Sequence, residues 1–248
     1  MIMAVETTAL TGKRIVLTGG TTGMGRATLA LLASEGARIL TFGRHREPLD
    51  EAIALTEAHT RATGVVADAA TPEGIDSVFT AADAELGGVD MLVTCAALGA
   101  QPIHEMADAD WRYVIDTNLV GTLACAKAAI ARMERQGGGH LLFVGSISTE
   151  IKAKGESVYA ATKAGIQAFA ETLRKEVASK NIKVSVIQPG SVDTDMQECS
   201  DEEKAEAVAR AEMLHAEEIA EAIRFVLTRS AASDVVNLRI EPLVQKTS

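Results

Sequence analysis

The chain has 248 residues, of which 47% are hydrophobic and 23% charged, and this composition excludes an intrinsically disordered protein. Its length is near the upper limit for one hydrophobic core, so we expect a single domain over residues 1–248. The net charge of -10 argues against a nucleic-acid or membrane partner, because both favour a positive protein surface.

The N-terminus and the cysteines indicate the compartment. The segment MIMAVETTALTGKR has no basic leader and reaches Glu6 after five residues, so we predict neither a signal peptide nor a membrane anchor. We find no apolar run that approaches the roughly 20 residues of a membrane helix. The three cysteines, Cys95, Cys125 and Cys199, lack the spacing typical of disulfides or metal sites. We therefore predict a cytoplasmic protein without a bound metal.

Short apolar runs alternate with longer alanine-rich and leucine-rich segments. The runs are continuous, which is typical of strands buried on both faces of a parallel sheet, and the longer segments have helical spacing. This order predicts an α/β fold, a doubly wound parallel β-sheet with helices on both faces. The predicted strands are RIVLTG from Arg14, ARILTFG from Ala37, GVVAD from Gly64, DMLVTCA from Asp90, HLLFVGS from His140, KVSVIQPG from Lys183 and VVNLRI from Val235. The clearest predicted helices are 25–35, 111–135, 158–180 and 216–228.

A glycine-rich turn, TGGTTGMG, follows the first predicted strand. Glycines stand at positions 19, 20, 23 and 25, immediately before a predicted amphipathic helix. Such a turn lets the backbone approach a pyrophosphate, whose charge then meets the free N–H groups at the helix N-terminus. The spacing G-x-x-x-G-x-G differs from the commoner G-x-G-x-x-G, and glycine turns also serve packing. The position between strand and helix favours a dinucleotide site.

The end of the second strand indicates which dinucleotide binds. An acidic residue there, about 20 residues after the glycine turn, binds the adenosine ribose hydroxyls of NAD, whereas arginine accommodates the 2′-phosphate of NADP. The sequence is TFGRHREPLDE, with Gly43 in the acidic position and Arg44, His45 and Arg46 after it. These residues favour NADP(H), with NAD(H) as the alternative cofactor; the other interpretation is a solvated loop before the next helix.

The later strands have small residues at their carboxyl ends. The fourth ends in VTCAALGA, the fifth at Ser146 and the sixth at Pro189. In an open α/β sheet, ligands lie beyond the carboxyl ends of the strands, at the point where the strand order reverses. We therefore expect Gly19, Ala96, Ser146 and Pro189 on one edge.

One predicted helix places a tyrosine and a lysine on the same face beside that edge. In SVYAATKAG, Tyr159 and Lys163 are one helical turn apart. The unperturbed pKa of tyrosine is about 10, and we expect the Lys163 ammonium and a bound nicotinamide cation to lower the pKa of Tyr159. Such a tyrosine exchanges a proton with a substrate oxygen, which Ser146 would hold by a hydrogen bond. Ser148 is the alternative to Ser146.

Together these features resemble the short-chain dehydrogenase/reductase family, in its compact branch of roughly this length. The similarity covers nearly the whole chain. The resemblance implies a single-domain Rossmann-fold oxidoreductase that acts on a carbonyl compound or a secondary alcohol, such as a ketoreductase. The matching motifs are the glycine turn from Thr18 to Gly25, Asp68 after the third strand, Asn118 in DTNLVGT, Ser146 upstream of Tyr159, the Tyr-x-x-x-Lys pair, and PGSVDTDM from Pro189.

The resemblance implies a role for each catalytic residue. Tyr159 would be the general acid or base, and Ser146 would orient the substrate oxygen. Lys163 would hold the nicotinamide ribose and lower the pKa of Tyr159. Asn118 would support a water-linked proton relay that ends at Lys163; from the residue alone, it equally satisfies backbone groups in a long helix.

The resemblance also implies the cofactor contacts. Asp68 would contact the adenine, and Thr194 with the backbone of Val192 would receive the nicotinamide carboxamide. From the residues alone, Asp68 is equally a turn residue and Thr194 an N-cap. The other predicted cofactor-binding residues are Gly19, Thr21, Thr22, Gly23, Met24, Gly25, Arg44, His45, Ala69, Ala96, Ala97, Tyr159, Lys163, Pro189 and Gly190.

Two segments depart from the family pattern. The family usually has Asn-Asn-Ala-Gly at the end of the fourth strand, where this chain has Thr94, Cys95, Ala96 and Ala97. Ala97 adds a methyl group where the backbone passes the cofactor, which bears on the cofactor affinity or the adenosine-ribose contact. Near the C-terminus, NLRIEPLVQ replaces a frequent glycine pair and leaves the catalytic set intact.

Residues 191–213 follow the sixth strand, are rich in Glu and Ala, and are interpreted as a helical lid. The acids of this segment and the nearby Lys152 and Lys154 indicate opposite substrate charges, so we predict only a small carbonyl or alcohol substrate. The apolar faces of helices 111–135 and 158–180, with the family resemblance, imply a homodimer or homotetramer. The alternative to an enzyme is a non-catalytic dinucleotide sensor or scaffold on the same fold.

Overall fold

In the computed structural model, which describes residues 6–57, 59, 62–197 and 199–245, a seven-stranded parallel sheet carries helices on both faces. This confirms the predicted doubly wound α/β fold in a single domain. The strands are β1 Arg14–Thr18, β2 Arg38–Gly43, β3 Thr63–Val66, β4 Met91–Thr94, β5 Gly139–Val144, β6 Ile182–Pro189 and β7 Asn237–Ile240.

The strand order is β3-β2-β1-β4-β5-β6-β7. The first three strands extend the sheet in one direction, and β4 then pairs with the free side of β1. Thr18, the last residue of β1, pairs with Phe42 in β2 and with Thr94 in β4. The order therefore reverses between β1 and β4, where ligands bind in open sheets of this kind.

The central strands are apolar throughout because both of their faces are covered. In β4, Leu92 belongs to the core under one helical layer, and the next residue, Val93, belongs to the core under the other. Successive side chains of a strand point to opposite faces, so a strand with two buried faces has no polar alternation. The helices are α1 Gly23–Ser34, α2 Arg46–Ala54, α3 Pro72–Glu85, α4 Asp108–Ile115, α5 Gly121–Gln136, α6 Ser148–Ile151, α7 Ser157–Val177, α8 Asp201–Ala209 and α9 Ala216–Leu227.

The predicted helix 111–135 is interrupted in the structure. Helices α4 and α5 are joined by a π-helical segment, Asp116–Val120, which contains Asn118. Gly121 follows this segment, and a Cβ at this position would collide with the carbonyl oxygen of Ala69. The helix therefore changes its winding where it passes close to the loop after β3, and such π segments are frequent at functional sites.

The same stretch, Asp108–Gln136, is long and apolar enough to cross a membrane by length and composition alone. Helices in the core of water-soluble proteins meet this criterion too, so it is weak support for a membrane span. Here the stretch packs on the sheet, where Cys125, Ala129 and Met133 lie in the core.

The segment 191–213, interpreted from the sequence as a helical lid, contains one helix. Val192 forms an isolated parallel bridge with Leu214, so the two ends of the segment meet. Helix α8 lies between them and begins with a capping box, in which Ser200 and Glu203 satisfy each other's backbone N–H groups. Residue 198 lies outside the described residues.

Candidate active site

The glycine turn between β1 and α1 is crowded by the backbone around it. Gly19 has a φ of 68° and Gly23 a φ of 49°, conformations that favour glycine. A Cβ on Gly19 would lie 2.6 Å from the Ala96 backbone nitrogen, and a Cβ on Gly25 would overlap the Gly19 carbonyl oxygen. Because glycine has no side chain, the turn, α1 and the end of β4 can lie close together around a concave surface. A pyrophosphate requires a surface of this shape.

A cavity of about 400 Å³ lies over this turn, at the crevice between β1 and β4. Its volume suits a bound small molecule or part of a dinucleotide. Its walls contain thirteen of the residues predicted to bind the cofactor, namely Gly19, Thr21, Thr22, Gly23, Met24, Gly25, Arg44, His45, Asp68, Ala69, Ala96, Ala97 and Thr194.

The two arginines after β2 point to different places. Arg46 lies 3.5 Å from Asp50 in an exposed ion pair on α2. Arg44 lines the cavity and donates a hydrogen bond of 3.0 Å to the hydroxyl of Tyr113 on α4. That hydroxyl in turn donates a hydrogen bond of 2.7 Å to the Asp68 carboxylate. Arg44 and Asp68 are thus joined through Tyr113, a residue that the sequence analysis did not identify.

Two further residues of the cavity wall were not predicted to bind the cofactor. Thr117, in the π-helical segment, has a buried hydroxyl without a hydrogen-bond partner among the described residues. A polar atom in this condition costs free energy unless a ligand satisfies it. Cys95 stands where the related family has asparagine; burial raises the pKa of its thiol to about 12, although the Lys163 charge acts in the opposite direction. The thiol is therefore protonated and unreactive at neutral pH.

Tyr159 and Ser146 face a second cavity, of about 720 Å³. Burial raises the pKa of Tyr159 to about 12, and the hydrogen bond with Ser146 acts in the opposite direction. The expected lowering of this pKa is therefore wrong for the protein by itself, because burial of the phenol outweighs the neighbouring groups. The Ser146 hydroxyl also lies 3.1 Å from that of Ser148, so the alternative serine is its neighbour in the same wall.

Lys163 lies under Tyr159 and is buried. Its ammonium group donates a hydrogen bond of 2.8 Å to the Val144 carbonyl oxygen at the end of β5 and lies 5.6 Å from the centre of the Tyr159 ring. Burial lowers the pKa of Lys163 to about 8. The sequence prediction that the two residues share one helix face agrees with this geometry, while the contact with Val144 was not expected.

Asn118 is fully buried and holds the loop after β4. Its side-chain oxygen accepts a hydrogen bond of 2.7 Å from the Leu98 backbone N–H, and its amide nitrogen donates one of 2.8 Å to the Leu98 carbonyl oxygen. The amide nitrogen also lies 3.4 Å from the Thr162 hydroxyl on α7. The Asn118 side chain thus satisfies backbone groups of a loop residue, rather than those of the long helix considered from the sequence.

The residues after β6 form the border between the two cavities. Pro189 ends β6 and accepts a hydrogen bond from the backbone of Ile147, while Gly190 lines the second cavity. Val192 is buried in the bridge with Leu214, and Thr194 lines the first cavity. Pro189 and Val192 are therefore placed to support the walls rather than to face the first cavity.

The second cavity is lined by polar groups of several kinds. Its walls contain Tyr159, three serines and Gln197, together with one basic and one acidic residue, Lys154 and Glu156; the serines are Ser146, Ser148 and Ser191. It shares Gly99 and Met196 with the first cavity, so the two spaces meet. Tyr159 thus borders a polar cavity that adjoins the cavity over the glycine turn.

Comparison with known proteins decides the family. A family model described as short chain dehydrogenase matches residues 13–205. The chain belongs to this family. An uncharacterised oxidoreductase of Staphylococcus aureus is 32% identical over 240 residues, covering 95% of this short chain dehydrogenase and all of the relative. One of Staphylococcus epidermidis is 32% identical over 232 residues, covering 93% and 97% of the two chains.

Solved structures of other family members have the same fold. The L-sorbose reductase of Gluconobacter frateurii, complexed with NADPH and L-sorbose, superposes with a TM-score of 0.86 at 28% identity, over 96% of this chain and 98% of the reductase. A short chain dehydrogenase of Burkholderia cenocepacia, in complex with NADP, gives a TM-score of 0.84 at 26% identity, over 94% and 98% of the two chains. The recognition of the family from the sequence is therefore confirmed.

Proposed function

We propose that this oxidoreductase uses NADP(H) to interconvert a ketone and a secondary alcohol, with Tyr159 as the general acid or base. The observation that carries the proposal is that Tyr159 and Ser146 line the same polar cavity, which adjoins the cavity over the glycine turn. When bound, the nicotinamide dinucleotide supplies the hydride that the carbonyl carbon accepts, or takes it back from the alcohol.

The state of Tyr159 favours reduction at neutral pH. With a pKa raised to about 12 by burial, the phenol keeps its proton and donates it to the carbonyl oxygen as the carbon accepts the hydride. Ser146 holds that oxygen by a hydrogen bond. Lys163, held at Val144, places a positive charge beneath the tyrosine ring, where it stabilises the phenolate left after proton transfer.

Arg44 supports NADP over NAD. Its guanidinium lines the first cavity beside His45, while Arg46 pairs with Asp50, so a single arginine at the end of β2 is directed to the adenosine side. A guanidinium binds a phosphate by charge-assisted hydrogen bonds. The solved complexes of the Gluconobacter and Burkholderia relatives with NADPH and NADP agree with this choice.

The second cavity supports a hydroxylated ketone as substrate. Its serine hydroxyls and the Gln197 amide provide hydrogen-bonding groups, and one basic and one acidic residue in its wall, Lys154 and Glu156, together favour neither an anion nor a cation. A site with buried polar groups rejects an analogue that lacks their partners. L-sorbose, which the Gluconobacter relative binds, is a suitable first substrate.

The test is a turnover assay with NADPH and NADH against L-sorbose and 2-hexanone, a ketone of the same chain length without the other hydroxyls. We expect oxidation of NADPH with L-sorbose and little with 2-hexanone. Tyr159→Phe should reduce kcat by about a thousandfold while the Kd of NADPH hardly changes. An active Phe variant would exclude this mechanism, and cofactor binding without turnover of any carbonyl compound would favour a dinucleotide sensor.

The same proposal includes the assembly and the lid. Helix α7 exposes Ala161, Ala164 and Ala168, and Val120 is half exposed in the π-helical segment before α5. These exposed apolar residues suit a homodimer or homotetramer in the cytoplasm. Residues 191–213 would move over the cavities as a lid. Size-exclusion chromatography with light scattering measures the oligomeric state. Protection of residues 191–213 from hydrogen exchange on NADPH binding tests the closure of the lid.

A further inference from the structure

We propose that Tyr113 is a positioning residue for cofactor selectivity: it separates Arg44 from Asp68 and keeps the Arg44 guanidinium available for the 2′-phosphate of NADP. This inference rests on the proposed use of NADP(H). It assigns a role to a residue on α4 that lies outside the cavity wall and acts through two residues within it.

The hydrogen bonds of Tyr113 are directional. Its hydroxyl accepts a hydrogen bond of 3.0 Å from Arg44 and donates one of 2.7 Å to Asp68, so both neighbours act on the same oxygen. Burial and the bond to Asp68 raise the pKa of Tyr113, so the hydroxyl keeps the proton that it donates. A neutral phenol thus lies between a cation and an anion.

The charges explain why a spacer is needed. Arg44 is an exposed cation, and Asp68 is a carboxylate in the wall of the same cavity. Without the hydroxyl between them, the guanidinium is free to form a bidentate ion pair with this carboxylate. That pair would occupy the groups that face the adenosine and withdraw Arg44 from the 2′-phosphate.

The Tyr113 ring adds a second contact. The Arg44 guanidinium lies 5.6 Å from the centre of the ring, within the range of a cation–π interaction. The ring limits the positions of the guanidinium even when the hydroxyl bond breaks. Tyr113→Phe keeps this contact and removes only the hydroxyl, so it tests the spacer role alone.

The selectivity ratio, Kd of NADH divided by Kd of NADPH, is the measurement that separates this role from a structural one. We expect Tyr113→Phe to lower the ratio by about fivefold, the effect of one hydrogen bond of ordinary strength. A general loss of packing would weaken both cofactors equally and leave the ratio unchanged.

A double-mutant cycle with Arg44→Ala tests whether the effect passes through Arg44. The double variant Arg44→Ala, Tyr113→Phe should have the same selectivity ratio as Arg44→Ala alone. Arg112→Ala is the matched control, because it removes an exposed cation from the same helix, where it stacks on Trp111 rather than facing the cavity. Its ratio should equal that of the wild type.

The outcomes distinguish the inference from the proposed function. If the wild-type protein binds NADH as tightly as NADPH, the use of NADP and this inference both fail. If the wild type prefers NADPH but Tyr113→Phe has the wild-type ratio, only the role of Tyr113 is overturned. The same holds if Tyr113→Phe lowers the ratio by the same factor in the Arg44→Ala background as in the wild type. Should Tyr113→Phe not fold, Asp68→Asn keeps the phenol and removes only the anion. If Tyr113 keeps Arg44 away from this anion, the ratio should stay at or above the wild-type value, and a decrease would overturn the inference.

Discussion

The ammonium group of Lys163 lies 2.8 Å from the carbonyl oxygen of Val144, the last residue of β5. Ser146 follows two residues later, so this bond connects the helix that carries Tyr159 to the strand that leads into Ser146. The contact buries an amine completely, and burial of a charge costs free energy that the single hydrogen bond offsets only in part.

Replacement of Lys163 with Met should change how the free energy of unfolding depends on pH, because it removes the buried amine. Burial lowers the pKa of Lys163 from 10.5 to about 8, so between these values the unfolded chain binds one proton more than the folded chain. The stability of the wild type should then rise relative to Lys163→Met by about 1.4 kcal/mol per pH unit over this window. Urea unfolding of both proteins at pH 7.5, 8.5 and 9.5 measures the difference. Parallel curves would show that Lys163 titrates normally.

Replacement of Gly25 with Ala should weaken the binding of the cofactor. The new Cβ would overlap the carbonyl oxygen of Gly19, so the turn must open where the pyrophosphate is expected. We expect the Kd of NADPH to rise at least about tenfold, measured by nucleotide fluorescence. Gly137→Ala is the control: Gly137 has a φ of 88° and free space around its Cβ position, so it should reduce stability without changing the Kd.

Replacement of Asn118 with Ala should loosen the loop after β4. Both backbone groups of Leu98 lose their partner, and two unsatisfied groups cost about 2–6 kcal/mol. Amide hydrogen exchange at Leu98 should accelerate by a larger factor than that of β4. Thr122→Val, which removes only the 2.7 Å bond to the Asn118 carbonyl oxygen, should cost about 1 kcal/mol and leave Leu98 protected.

His140 should make the protein sensitive to acid. Burial, with the charge of Lys183, lowers the pKa of this histidine from 6.5 to about 4, so the folded chain keeps it neutral while the unfolded chain accepts a proton. Stability should fall as the pH drops from 6.5 to 4, by about 1.4 kcal/mol per unit. His140→Gln retains a polar group near Ser185 and should have a shallower dependence. Unfolding curves at pH 7, 6 and 5 compare the two proteins.

The features that follow from local sequence could be predicted. Apolar runs buried on two faces identify the strands, and the glycines identify the turn between β1 and α1. The four-residue spacing places Tyr159 and Lys163 on one helix face. These features depend on neighbours within a few residues, for which the chain geometry leaves few alternatives.

The contacts that join distant segments could not be predicted. Tyr113 meets Arg44 and Asp68 across 69 and 45 residues, and Gln245 holds the Ser191 backbone across 54 residues. No local pattern distinguishes these side chains from solvated ones. The predicted direction of the Tyr159 pKa shift was wrong for a related reason, because the burial that raises this pKa depends on the packing of the whole site.

The cysteines give this protein a built-in reporter. The pKa of Cys95 and of Cys125 is raised to about 12 by their surroundings, which leaves both thiols protonated at neutral pH. Cys199 is half exposed in the segment that carries Thr194 and Met196. A maleimide dye added to the native protein should therefore attach to this thiol far faster than to the other two. Its fluorescence would follow the segment as cofactor and substrate arrive, in the unmutated chain.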